Sequence, residues 1–330
     1  MTLVLALFVG GLAMLAQVGR KSRQAAITLA VVLLAASVVV SLLGTFVGIG
    51  LLAQVSGGGS FTGAERVAYA GALVSVVLAG VVGTALCIPL FRRVMGRPPR
   101  REFWGDPVII FSLWTGLIVL TNNIVSFLIF TVESDLTSLF SGVQISPVTI
   151  VSSQLPFIIV AVMGVGAFVR RDLRQTLERL GYGRINIPQL GIVAAFIVVA
   201  LAISFGADAL FRILQPDLYD RVGEVSTNLF DPTGLTLVSA VFFALLIGVG
   251  AGLGEETLFR GAVQPVFGIV FTSLLFASMH IQYGPSLLLG YIFVLAVGLG
   301  LLRKYINTTA SFLAHAGYNA ATVLIAYFFS

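Results

Sequence analysis

Ten stretches of this sequence are apolar almost throughout: residues 2–18, 25–55, 68–91, 108–132, 148–169, 186–210, 235–258, 267–283, 285–302 and 306–329. Inside hydrocarbon a backbone must satisfy its own hydrogen bonds, so only helices and closed barrels cross a bilayer. A spanning helix needs about 20 apolar residues, whereas barrel strands alternate apolar and polar positions over about 10. The runs are continuous, which excludes the barrel. Only 10% of the 330 residues are charged and 58% are hydrophobic, with a mean hydropathy of +1.04. Soluble domains carry roughly 25% charged residues. The expectation is an all-α, polytopic transmembrane helical bundle of about ten segments, with any catalytic site buried between helices.

The charges fall between the runs in a regular alternation. Arg20, Lys21 and Arg23 follow the first segment; Arg92, Arg93, Arg97, Arg100 and Arg101 follow the third. Arg170, Arg171, Arg174, Arg179 and Arg184 follow the fifth, and Arg303 and Lys304 the ninth. These four links hold 15 of the 19 basic residues, while the intervening ones carry Glu133, Asp135, Asp217, Asp220, Glu224 and Asp231. Basic loops stay cytoplasmic, so both termini are expected outside. The net charge of +5 is thus a topology signal, and no nucleic-acid partner is expected. The first run has its basic cluster behind it, unlike a cleavable signal peptide. Residues 56–63 read as an outer loop, 96–106 as a basic inner loop, and 170–184 as an amphipathic or solvated inner helix. A single cysteine, Cys87, excludes an internal disulfide and a cysteine zinc cluster. Arginine far outnumbers lysine, which points to a prokaryotic cell membrane.

Ionisable side chains within spans are expensive and mark function. Here they concentrate in the last 80 or so residues, which also hold both histidines. Glu255 and Glu256 are about 100° apart on a helix and face different ways. Glu256 and Arg260 stand at the i, i+4 spacing of a helix ion pair, which leaves Glu255 as the carboxylate without a local partner. Phe276 and His280 share that spacing, as do His315 and Asn319, so the imidazole and amide of the latter pair project from one face. Two chemistries fit this set. Glu255 and His280 can act as a metal-free base on water, with His315 and Asn319 donating to an oxyanion. Alternatively Glu255, His280 and His315 can hold Zn²⁺ with a position open for water. The same groups also suit a proton relay in a membrane transporter. Just ahead of them, GVGAGLG at 248–254 contains two GxxxG registers, Gly248 with Gly252 and Gly250 with Gly254, which permit close helix approach.

Glu255-Glu256-x-x-x-Arg260, Phe276-x-x-x-His280 and His315-x-x-x-Asn319, in this order on successive segments, resemble the motifs of the CAAX protease and bacteriocin-processing enzyme (CPBP, or Abi) family of intramembrane proteases. The likeness covers residues 235–330. It implies an intramembrane endopeptidase acting on a membrane-associated or lipidated (CAAX-type) protein or leader peptide. Glu255 would activate water with His280 as partner, and His315 and Asn319 would stabilise the oxyanion or help bind a metal. Glu256, Arg260 and Phe276 would be supports. The implied partners are membrane lipid and a peptide or protein tail, prenylated or not. On this reading residues 146–330 form the catalytic membrane core, and 1–145 are an additional region of about four helices. One spatial condition follows. Simple boundaries put Glu255 and His280 at opposite ends of adjacent segments, so either the seventh helix runs past residue 258 or the chain near Gln264 and Pro265 re-enters the membrane.

Overall fold

All ten apolar segments are helical in the computed structural model, which describes residues 3–56, 61–95, 104–132, 146–230 and 234–329. The helices are α1 (Leu3–Gly19), α2 (Arg23–Ser56), α3 (Gly63–Cys87), α4 (Pro89–Met95), α5 (Pro107–Val132), α6 (Pro147–Gly164), α7 (Leu173–Leu180), α8 (Ile187–Leu214), α9 (Pro216–Phe230), α10 (Leu237–Glu256), α11 (Gln264–Ser278), α12 (Leu287–Tyr305) and α13 (Thr308–Phe329). Among the described residues, eight helical stretches are long and apolar enough to cross a membrane, and α1 is a shorter apolar helix. The chain is a multi-pass integral membrane protein. Side chains such as Val31, Phe46, Val67 and Ile187 are exposed, as a lipid-facing surface requires. Most of the expected loops at 57–60 and 96–103, and the boundary at residue 145, lie outside the described residues.

Helix ends follow from local chemistry. Thr62 with Glu65, Asp172 with Gln175 and Asn186 with Gln189 form reciprocal capping boxes at the starts of α3, α7 and α8. Each satisfies backbone donors that the first helical turn leaves unpaired. Gly181, at φ 77°, ends α7 in the left-handed conformation.

The chain divides into two compact units, residues 12–134 and residues 135–330 with 1–11. In the first, α2 and α3 meet at small residues: a Cβ on Gly80 would strike Ser41, and one on Gly48 would strike Leu73. Trp114 Nε1 of α5 donates to Ser37 Oγ at 2.8 Å.

In the second unit, α10 packs against α6 and α13 through the two glycine registers. Gly248 and Gly252 face Ala316 and Phe312 of α13, whereas Gly250 and Gly254 face Ile150 and Gln154 of α6. Each register serves one neighbour, so a single helix approaches two others at backbone distance.

Helix α10 does not stop at Glu256. It continues through a π-helical turn, Thr257–Val263, directly into α11. A straight helix from Leu237 to Ser278 would be about 60 Å long and would hold Phe259 and Phe276 some 25 Å apart. Their rings are instead 5.2 Å apart, so the chain turns back between them. The corner is Gly268, at φ 80° and ψ 175° within α11, a conformation only glycine adopts without strain. The seventh segment therefore runs past residue 258, and the eighth is the short return from Gly268 to Ser278. This is how Glu255 and His280 reach the same region.

Candidate active site

The site is built on the end of α10, the π-turn, the returning arm of α11, and α13. Glu256 and Arg260 have fully buried side chains, with Arg260 Nε 3.3 Å from Glu256 Oε2. The other oxygen, Glu256 Oε1, accepts from His315 Nδ1 at 3.0 Å. The sequence pointed to the first contact, but the second joins residues 59 apart and ties α13 to α10. Arg260 Nη2 also donates to the Ala296 carbonyl of α12 at 3.3 Å.

Phe276 is the apolar hub. Its ring centroid lies 4.9 Å from that of His280 and 5.8 Å from that of His315, and the Arg260 guanidinium carbon sits 4.8 Å from it. The ring face therefore receives the cation while its neighbours hold both imidazoles. His280 Nδ1 is 3.0 Å from the Phe276 carbonyl oxygen. With Nδ1–H donated to that carbonyl, the Nε2 lone pair is left to act elsewhere. Tyr283 stacks on His280 with centroids 6.3 Å apart and planes 11° from parallel. Tyr283 was not among the residues singled out from the sequence, because a lone tyrosine at the end of an apolar segment has no periodic partner.

Glu255 is only partly buried as a residue, yet its Oε2 is sealed from the surface and accepts no hydrogen bond. The carboxyl group lies within electrostatic reach of His280 and His315. Buried acceptors are ordinarily paired; Glu256 Oε2 also lacks a hydrogen bond but faces Arg260 Nε, whereas among the described residues no ion pair involves Glu255. Asn319 lies one turn beyond His315 on α13, half-buried.

The π-turn is held from outside by groups distant in sequence. A widened turn disturbs the regular carbonyl pairing and is found often at functional sites. Arg303 Nε donates to the Arg260 carbonyl at 3.3 Å, and Arg179 Nη1 to the Gly261 carbonyl at 3.0 Å. Gly261 has no room for a Cβ beside Leu180, so α7 docks directly on the turn. Tyr182 bonds Thr257 through their hydroxyls at 2.6 Å, and burial pushes the Tyr182 phenol up. Thr308 Oγ1 donates to the Leu180 carbonyl, and Asn307 Nδ2 to that of Arg184. The segment 170–184, read as an inner-surface helix, is thus clamped to the helices that carry the site.

Residues 236–321 match the family model described as type II CAAX prenyl endopeptidase, Rce1-like. The chain is 30% identical over 166 residues to the uncharacterized protein YpbD of Bacillus subtilis (strain 168), a span covering 48% of this chain and 81% of that protein. The chain belongs to the CPBP family. No solved structure matches it. Membership in the CPBP family implies a peptidase, and here it is one embedded in a multi-pass membrane bundle. The matched stretch contains Glu255, Glu256, Arg260, Phe276, His280, His315 and Asn319. Among the described residues, no three His, Cys, Asp or Glu side chains are gathered as a metal-holding group. Glu255, His280 and His315, the set expected for Zn²⁺, do not form one.

Proposed function

We propose that this protein is an intramembrane endopeptidase that hydrolyses a peptide bond in a membrane-associated protein, its substrate being a lipidated, CAAX-type tail or a leader peptide. The observation that carries the reading is the Glu255 carboxylate, its buried Oε2 without a hydrogen bond and within electrostatic reach of His280, while the neighbouring carboxylate is ion-paired to Arg260 and hydrogen-bonded to His315. In the proposed reaction a water molecule lies between Glu255 and the Nε2 lone pair of His280. Glu255 takes one proton as the water oxygen attacks the scissile carbonyl carbon. The carbonyl π electrons move to its oxygen, and the resulting oxyanion is stabilised by His315 and the Asn319 amide. For His315 to donate from Nε2 it must carry protons on both nitrogens, and the Glu256 carboxylate beside it is the counter-charge. As the intermediate collapses, protonated Glu255 returns its proton to the departing amine nitrogen. Two carboxylates then face one guanidinium and one imidazolium, and deprotonating water moves one negative charge from Glu255 to the oxyanion. The net charge of the buried cluster is constant throughout, which keeps the step inexpensive in a medium of low dielectric.

A membrane setting suits a lipidated substrate, since its hydrocarbon chain stays in lipid while the peptide reaches the polar residues. The prokaryotic cell membrane and the outward termini belong to this same proposal. The test is cleavage of prenylated and unprenylated tail peptides by purified protein in lipid vesicles, read by mass spectrometry with and without a zinc chelator. Cleavage of the prenylated peptides that persists in chelator supports the reading. Chelator-abolished cleavage overturns the metal-free mechanism, and proton-coupled solute uptake without cleavage would favour the transporter alternative.

A further inference from the structure

Within residues 12–134 lies a cavity of about 290 Å³ that no step of the proposed hydrolysis uses. That volume is at the lower end of small-molecule pockets. One wall is a face of α2, on which Arg23, Ala26, Ala30 and Leu34 recur at helical spacing; Ile110 of α5 and Arg92 of α4 contribute to the other side. From Arg23 to Leu34 the wall is about 16 Å long. The alanines make it a groove, and Ile27 and Val31 along the same face are more than half exposed, so it opens toward lipid.

Among the described residues, the charged groups lining the polar end are the cations Arg23 and Arg92. Arg92 is half-buried, its Nη2 makes only a 3.5 Å contact with the Cys87 carbonyl, and its Nε is sealed from the surface with no hydrogen-bond partner. Arg23 opens α2 at the same end. Among the described residues the carboxylate beside this end is Asp106, and it is engaged elsewhere: Arg20 binds both its oxygens and Oδ1 also accepts from the Val108 amide at 2.9 Å. Burial pushes the Arg92 guanidinium down, which marks a cation whose lost hydration is not made up by the protein. Guanidinium groups bind phosphate oxygens in a planar, two-point fashion, and aliphatic walls bind hydrocarbon. We propose that this groove binds an anionic phospholipid, its phosphate between Arg23 and Arg92 and one acyl chain along Ala26, Ala30 and Leu34. The positive-inside pattern would place this end in the cytoplasmic leaflet.

The proposal is independent of the peptidase reading and is tested without it. Full-length protein in neutral detergent is titrated with phosphatidylglycerol, phosphatidylcholine or inorganic phosphate, and bound ligand is counted by native mass spectrometry. Phosphatidylglycerol is expected to bind about tenfold more tightly than phosphatidylcholine, whose phosphate is the same but whose quaternary ammonium cancels the net charge and is repelled by the two guanidinium groups. Inorganic phosphate is expected to bind weakly, lacking the chain. Arg92→Gln and Ala30→Phe should each weaken phosphatidylglycerol binding about tenfold, and Arg92→Lys should recover part of the loss. Arg23→Gln changes an exposed side chain, so it reports on the headgroup even if a buried substitution fails to fold. Equal binding of the two lipids, phosphate binding as tight as the lipid, or unchanged affinity in Arg23→Gln would overturn the assignment.

Discussion

Adjacent carboxylates, Glu255 and Glu256, should answer the same substitution in opposite ways. Glu256→Gln removes the charge opposite Arg260, and both side chains of that pair are fully buried, so solvent does not soften the loss. Breaking a buried pair from one side costs about 3–5 kcal/mol, because the surviving charge stays uncompensated. The glutamine oxygen can still accept from His315, so the arginine dominates the loss. That cost is about a hundred- to a few-thousand-fold in the unfolding equilibrium. Glu255→Gln removes a charge whose buried oxygen has no hydrogen-bond partner. It should leave stability unchanged or improved, while losing the general base and with it about 10²–10⁴-fold in turnover. The assay is denaturant-driven unfolding of both variants in one detergent, with peptide turnover measured on the folded fraction. A third protein, Glu256→Gln with Arg260→Met, should recover much of the stability, since an uncharged pair leaves no orphaned ion. Glu256→Gln as stable as wild type, or Glu255→Gln as unstable as Glu256→Gln, would refute the division of roles.

Three further outcomes follow from the packing. Gly248→Ala drives a methyl group into the Ala316 carbonyl and should cost about 1–3 kcal/mol; Gly290→Ala on α12 meets no neighbouring atom within 4 Å and should be neutral or stabilising in the same unfolding assay. Phe276→Ala removes the ring shared by Arg260, His280 and His315 and should cost about 3–5 kcal/mol, with Phe276→Leu retaining more stability by thermal denaturation. Tyr182→Phe deletes one hydroxyl bond to Thr257, which keeps its own bond to the Leu253 carbonyl; it should cost about 0.5–1.5 kcal/mol and be measurable by the same melt.

What could be read in advance was local. Continuous apolar runs mark helices because every spanning backbone bond must close within the segment. The spacings Glu256–Arg260 and Phe276–His280 reappear as contacts of 3.3 Å and 4.9 Å. The two glycine registers each found a helix to receive. What was hidden was long-range or depended on a single backbone angle. No periodicity foretells that His315 bonds Glu256 rather than Glu255, since that choice is made by how α13 is rotated against α10. The π-turn contains no helix breaker except Gly261, and Gly268 is one glycine among 36; what marks it is a φ of 80° in the interior of α11. The docking of Arg179 and Tyr182 on the turn joins residues more than seventy apart, beyond any windowed pattern.

The most direct measurement is single-turnover cleavage of a prenylated tail peptide in water labelled with heavy oxygen, by wild-type protein and Glu255→Gln side by side. If Glu255 activates water for direct attack, the first-turnover product carries heavy oxygen in its new carboxylate, and Glu255→Gln releases almost no product. Unlabelled first-turnover product, with the label later recovered in Glu255, would mean an acyl-enzyme at that residue. Undiminished cleavage by Glu255→Gln would remove Glu255 from the chemistry altogether.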